Sequence, residues 1–128
     1  MILALRRFEQ ELQRRIHEEG FADISVAHMN VLRHVDAAGI RLGDLARDAG
    51  MTKQGASQAV QSLIERDLVA VEPDPHDRRS KRVVYTARGR EVIACGIAHV
   101  MAIEQEWSEQ LGERRYRSLR KSLVELSV

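Results

Sequence analysis

A mainly helical chain with one small β-hairpin is what this sequence predicts, on three observations. Apolar residues recur at helical spacing in several separate stretches between Leu5 and Leu126. Strand composition is confined to two short runs, LVAVE at 68–72 and RVVYT at 82–86. Between them lies DPHDRRSK, 74–81, which has turn chemistry. With 128 residues, the chain is long enough for a real core but short for two, and reads as a single domain over 1–128.

The elements follow in order. Leu5, Phe8, Leu12 and Ile16 make one apolar stripe, predicting a first helix from 3 to about 18 that Gly20 closes. Ser25 is an N-cap for a second helix, 25–37, with Met29, Leu32 and Val35 inward and Ala38-Gly39 at its end. A short helix over 42–49 turns Leu42, Leu45, Ala46 and Ala49 inward and stops at Gly50. Thr52 caps the next helix, which runs to about Arg66 with Ala56, Ala59, Val60 and Leu63 on its inner face. After the hairpin, Thr86 caps a helix to about Leu111, striped by Ile93, Ile97, Val100, Ile103, Trp107 and Leu111. At 1.5 Å per residue it spans roughly 35–40 Å, longer than a domain of this size needs. A last helix beyond Gly112 carries Tyr116, Leu119, Leu123 and Leu126.

Composition excludes more than it assigns. No apolar run is long enough to span a membrane. The start, MILALRRFEQELQRR, is amphipathic and does not read as a signal peptide. The single cysteine, Cys95, forbids an internal disulfide and fits a reducing compartment, so a cytoplasmic globular protein is expected. No phosphate loop, nucleophile motif or paired Cys and His at metal spacing stands out, so neither enzyme chemistry nor a metal or cofactor is expected. His17, His28, His34, His76 and His99 are scattered, and Cys95 falls mid-helix as a structural thiol without a basic neighbourhood.

Charge is unevenly placed. The net charge is only +1, yet residues 78–90 hold Arg78, Arg79, Lys81, Arg82, Arg88 and Arg90 and no acidic residue. A basic stretch on a neutral chain points to a site. Two helices joined by a tight glycine turn and followed by a hairpin make the winged helix-turn-helix arrangement. The second of these helices shows an outer face of Lys53, Gln54, Ser57, Gln58, Gln61 and Ser62, lacking the Glu and Lys pairs of a solvated helix. Such a face offers donors and acceptors to base edges in a major groove, and Thr52 can bond a phosphate at the helix start. An arginine at a hairpin tip can enter the minor groove, while flanking cations neutralise phosphates. Asp74 and Asp77, unexpected beside DNA, can hold such a tip in one geometry.

With these features in place, the run MTKQGASQAVQSLIERDLVAVEPDPHDRRSKRVVYTARGRE resembles the core of the MarR (multiple antibiotic resistance regulator) family of bacterial transcription factors. The resemblance lies in LARDAGMTKQ, the Leu63 to Leu68-Val69 exit, the DPxDRRxK wing and the Thr86-Ala-Arg-Gly89 start of the long helix, with AHMNVLRHV upstream also in order. It implies a winged lobe over about 25–90 and dimerisation helices at about 1–20 and 92–128. In the implied homodimer the end helices of both chains interleave, and the stripes Leu5, Phe8, Leu12, Ile16 and Tyr116, Leu119, Leu123, Leu126 suit that. The resemblance further implies that Arg79 is the minor-groove arginine and that Asp77 orients it. Arg78, Lys81 and Arg82 are left for phosphates or solvent. A small-molecule effector would bind among the first, second and fifth helices, near His17, Phe21, His28 and Met29.

Two departures stand out. Asp67 occupies a position where the family commonly has Gly, and Asp tolerates the left-handed conformation needed there. Gly55 inside the recognition helix either admits DNA closely or loosens the helix, at about 1 kcal/mol relative to Ala. The first helix lacks the cysteine of the family's redox-sensing branch. The expected partner is therefore a double-stranded DNA operator, bound by a homodimer that acts as a repressor. A winged-helix protein-interaction module is the alternative, though it has no need of a basic wing.

Overall fold

The computed structural model describes residues 1–127 as α1 (Ile2–Glu18), α2 (Val26–Leu32), β1 (Ile40–Arg41), α3 (Leu42–Asp48), α4 (Lys53–Glu65), β2 (Val69–Pro73), β3 (Lys81–Tyr85), α5 (Ala87–Leu111) and α6 (Glu113–Leu126). It is mainly helical, with one antiparallel sheet ordered β1-β3-β2. The hairpin pairs Val69 with Tyr85 and Pro73 with Lys81, so the wing turn spans 74–80. No helix among the described residues is long and apolar enough to cross a membrane.

Local chemistry starts the helices. Ser25 accepts the His28 backbone N–H, and the neutral His28 ring accepts the Ser25 N–H at 2.9 Å, a reciprocal capping box with histidine in the usual Glu position. Burial pushes the His28 imidazole below its ordinary value, which keeps that acceptor available. Thr52 and Thr86 cap α4 and α5 by accepting the N–H groups of Gly55 and Gly89.

Three features depart from the sequence-based expectation. The second helix ends at Leu32 rather than near 37. The Tyr85 hydroxyl donates to the Leu32 carbonyl at 2.7 Å, and the N–H groups of His34 and Val35 turn back to residues three earlier. β1 was not anticipated; it forms because Ile40, 6% exposed, pairs with Val83 in the core. On α5 the buried residues are Gly89, Val92, Gly96 and Ile103, while Ile97 of the expected stripe is 54% exposed.

One core runs from α1 to α5, with Ile16, Ile24, Leu32, Leu45, Leu63, Leu68, Val92 and Ile103 fully enclosed. Its tightest joint lies where α4 and the sheet meet α5. Asp67 takes φ +57, in the left-handed region expected of it, and the Leu68 N–H returns to the Leu63 carbonyl. The Leu68 carbonyl accepts the Thr86 N–H at 3.1 Å, and the Thr86 hydroxyl donates to the Asp67 carbonyl at 2.5 Å. A Cβ placed on Gly89 would come within 1.9 Å of the Leu68 oxygen, so a glycine is required there.

That contact makes a sharp contrast with an open glycine. Gly89→Ala should lower unfolding free energy by about 3 kcal/mol, the upper end of overpacking costs, because backbone cannot yield. Gly43→Ala, where a Cβ would meet nothing within 4 Å, should be neutral or stabilising by about 0.5–1 kcal/mol. Urea denaturation of both variants measures the difference; equal midpoints would exclude the tight joint.

Candidate nucleic-acid interface

On α4 the inward residues Ala56, Val60 and Leu63 are buried, and this orients the opposite face. Thr52, Lys53, Gln54, Ser57, Gln58 and Gln61 are all exposed. Residues 53, 54, 57, 58 and 61 share one stripe, as a 3.6-residue period requires. Ser62 lies apart from them, since its oxygens accept from Arg66 and its hydroxyl lies 3.3 Å from the His28 ring. Gly55 serves the cap, because a Cβ there would stand 3.1 Å from the Thr52 hydroxyl oxygen.

The wing is held at its base and free at its tip. Asp74, only 3% exposed, accepts the His76 N–H at 2.8 Å and the Arg41 guanidinium at 2.6 Å. The His76 bond, with Arg41 beside it, keeps the Asp74 carboxyl below its usual range against the opposing effect of burial. The Asp74 N–H also closes the turn onto the Ser80 carbonyl. Asp77 accepts the Arg79 backbone N–H at 3.0 Å and the Ser80 hydroxyl at 3.2 Å. Its carboxylate thus meets the backbone of Arg79 and shapes the turn.

The basic residues fall into two groups. Arg78, Arg79 and Lys81 are exposed and make no ion pair among the described residues. Arg82 folds back, donating to the Gly39 carbonyl at 3.2 Å. Arg88, another member of the basic run, pairs with Asp23 at 3.1 Å and stacks over Phe21 with 5.7 Å to the ring centre. Arg41, which holds the wing base, carried no signal in the sequence, because its partner lies 33 residues away.

The remaining expected residues divide similarly. Leu12 and Ile16 are buried within the chain's own core, and Phe8 packs edge-on against Trp107 at 5.5 Å. Leu5 is exposed, as are Leu119, Leu123 and Leu126, with Tyr116 half-buried; α6 buries none of its residues. Between α1, α2 and α5 lies an apolar cleft of about 360 Å³, lined by Phe8, Met29, Ile93, Val100 and Met101 with Asn30 and Arg33 at hand. Met29 is the one expected effector residue that lines it. His17 lies 2.9 Å from the Ile24 carbonyl, Phe21 sits under Arg88, and His28 caps α2.

Known proteins share this fold. A sequence model of the MarR family matches residues 22–80. The transcriptional regulator HosA of Escherichia coli O111:H- is 30% identical over 105 residues, covering 81% of this chain and 76% of HosA. The transcriptional activatory protein BadR of Rhodopseudomonas palustris is 35% identical over 80 residues, which are 62% of this chain but 46% of BadR. Among solved structures, the repressor CouR on a 23-mer DNA duplex superposes with a TM-score of 0.80 at 23% identity, covering 98% of this chain and 87% of that one. CouR from Rhodococcus jostii RHA1 is also known bound to p-coumaroyl-CoA, with a TM-score of 0.74 at 23% identity over 96% of this chain and 85% of CouR.

If Asp74 sets the wing through its charge, Asp74→Asn should loosen the hairpin while preserving its size. Trypsin at neutral pH should then cut after Arg78 and Arg79 several-fold faster, since cleavage follows the population of the open form. An unchanged rate would mean that the turn holds without the Arg41 ion pair.

Proposed function

The chain belongs to the MarR family, and from that premise we propose that it is a sequence-specific, DNA-binding transcriptional repressor acting as a homodimer in the cytoplasm. The observation that carries the reading is the outward face of α4, polar and nearly uncharged, close in sequence to a braced wing whose Arg78 and Arg79 make no ion pair among the described residues. In this reading α4 enters the major groove, where Gln54, Gln58 and Gln61 meet base edges and Lys53 meets guanine or phosphate. Thr52 and the first turn of α4 bind a phosphate. Arg79 enters the minor groove, with Asp77 holding its backbone in place. Arg78 and Lys81 neutralise phosphates, and Arg82 contributes from its tether on Gly39.

Dimerisation would cover the exposed Leu119, Leu123 and Leu126 with the half-buried Tyr116, together with Leu5 near the start of α1. The two lobes would then reach half-sites one helical turn apart, on a pseudo-palindromic operator of roughly 16–20 bp. An effector with an apolar body would fit the cleft beside Met29, and the p-coumaroyl-CoA complex of CouR supports a ligand of that kind. Its binding would be reciprocally coupled to that of DNA, typically by about 1–3 kcal/mol. CouR is a repressor by name and BadR an activator, so the sign of regulation is tested by deleting this gene and measuring its neighbours' transcripts.

Binding to the DNA upstream of its own gene at several salt concentrations tests the central claim. Arg79→Ala should weaken binding roughly tenfold and reduce the salt slope by about 1, while Gln58→Ala should relax sequence preference by about 1–3 kcal/mol. Binding that ignores sequence, or that Arg79→Ala leaves unchanged, would favour a protein-interaction module instead.

The dimer has its own measurement. Leu119→Glu with Leu123→Glu should give a folded monomer by light scattering and circular dichroism, and that monomer should lose operator binding. A dimer that persists in the double variant would move the interface elsewhere.

A further inference from the structure

Away from the α4 face and the wing, the end of α1 meets the middle of α5 in a cluster of three different donor types. Glu19, at the C-cap of α1, faces Cys95 and His99, which lie one helical turn apart on α5. The carboxylate oxygen, thiol sulfur and imidazole nitrogen all lie within 4.8 Å of one another. His99 Nε2 stands 3.3 Å from the Glu19 carboxylate. Donors bound to a tetrahedral zinc ion at about 2.0–2.3 Å are roughly 3.3–3.7 Å apart. The oxygen–nitrogen edge therefore already has the required length, and the sulfur, within 4.8 Å of both, has at most about 1 Å to close. An i, i+4 pair on one helix face is the same spacing by which paired histidines on a helix hold zinc.

The surroundings favour a cation. Glu19 lies at the negative end of the α1 dipole, where a carboxylate is poorly placed. Its neighbour Glu18 is taken by Arg14, but among the described residues no Lys or Arg pairs with Glu19. Cys95 and His99 are half-buried while Glu19 is exposed, so the cluster has walls and an open side. Burial, with Glu19 beside it, pushes the Cys95 thiol above its ordinary value. The thiolate is the metal ligand, so an ion binds there by displacing the thiol proton, and binding weakens as the pH falls.

We propose that Glu19, Cys95 and His99 form a binding site for a divalent ion of the zinc type, with its fourth position open to water. The donor set is that of a borderline-soft ion, since oxygen alone would suit magnesium or calcium. Zn²⁺ binds the imidazole nitrogen, the carboxylate oxygen and the sulfur; the thiol proton leaves to solvent and nothing is oxidised. The ion fastens the end of α1 to α5, four residues before Asp23, whose carbonyl and carboxylate receive Arg66 and Arg88. The site does not depend on the DNA-binding reading.

The test is a zinc titration of the full-length, tag-free protein against a competing chromophoric chelator. Wild type should bind one ion per chain. Cys95→Ser, His99→Gln and Glu19→Gln, each confirmed folded by circular dichroism, should each lose at least about tenfold in affinity, the lower end of what even an outer-shell change costs. Co²⁺ should give a thiolate-to-metal charge-transfer band that Cys95→Ser lacks. Absent saturable binding, a cobalt spectrum indifferent to Cys95→Ser, or wild-type affinity in all three variants overturns the site.

Discussion

The contact between the Leu68 carbonyl and Gly89 sets the geometry on which the rest of the molecule depends. That oxygen accepts the Thr86 N–H and leaves no space for a side chain on the first turn of α5. The chain leaving α4 and the chain entering α5 are thereby fixed against each other at backbone level. Arg66 and Arg88 extend the joint to Asp23, and Arg88 also donates to the Arg66 carbonyl. Side-chain packing alone can repack around a substitution, whereas this joint has no flexible part. The long helix is thus rigidly linked to the helix and hairpin that follow the glycine turn.

The same economy governs the charges. The wing combines a buried carboxylate with exposed guanidinium groups, and the two do different things. Asp74 is held by one backbone amide and by Arg41 from a neighbouring strand, so the base of the hairpin is tied to β1. Asp77 is consumed by the turn itself. Neither acid pairs with the side chain of Arg78 or Arg79, and both arginines are exposed. A nearly neutral chain keeps its basic residues together at the wing in this way, while the acids beside them shape the turn.

Much of this was legible in the sequence because it is local. Periodicity places Lys53, Gln54, Ser57, Gln58 and Gln61 opposite Ala56, Val60 and Leu63, and the structure keeps that division. Thr52, Ser25 and Thr86 announce their caps within three residues. What escaped was non-local. At the early end of the second helix, Tyr85, 53 residues onward, holds the Leu32 carbonyl. β1 exists as a partner for β3, pairing Ile40 with Val83 and Arg41 with Arg82. On α5, apolar residues occupy more than one face, and the pattern cannot tell the face packed inside the chain from the face lining a cleft. With one cysteine and scattered histidines, Cys95 and His99 do not read as a metal motif in the sequence; Glu19 arrives from α1, and only the fold brings the three together.

Trp107 is the chain's single indole, and it sits edge-on to Phe8 where α1 crosses the distal half of α5. Nature has thus placed one intrinsic fluorophore on the seam between the first helix and the longest. Its emission reports on one spot, uncontaminated by a second tryptophan elsewhere. Any ligand, ion or partner that shifts α1 against α5 therefore writes its arrival into the colour of that one side chain.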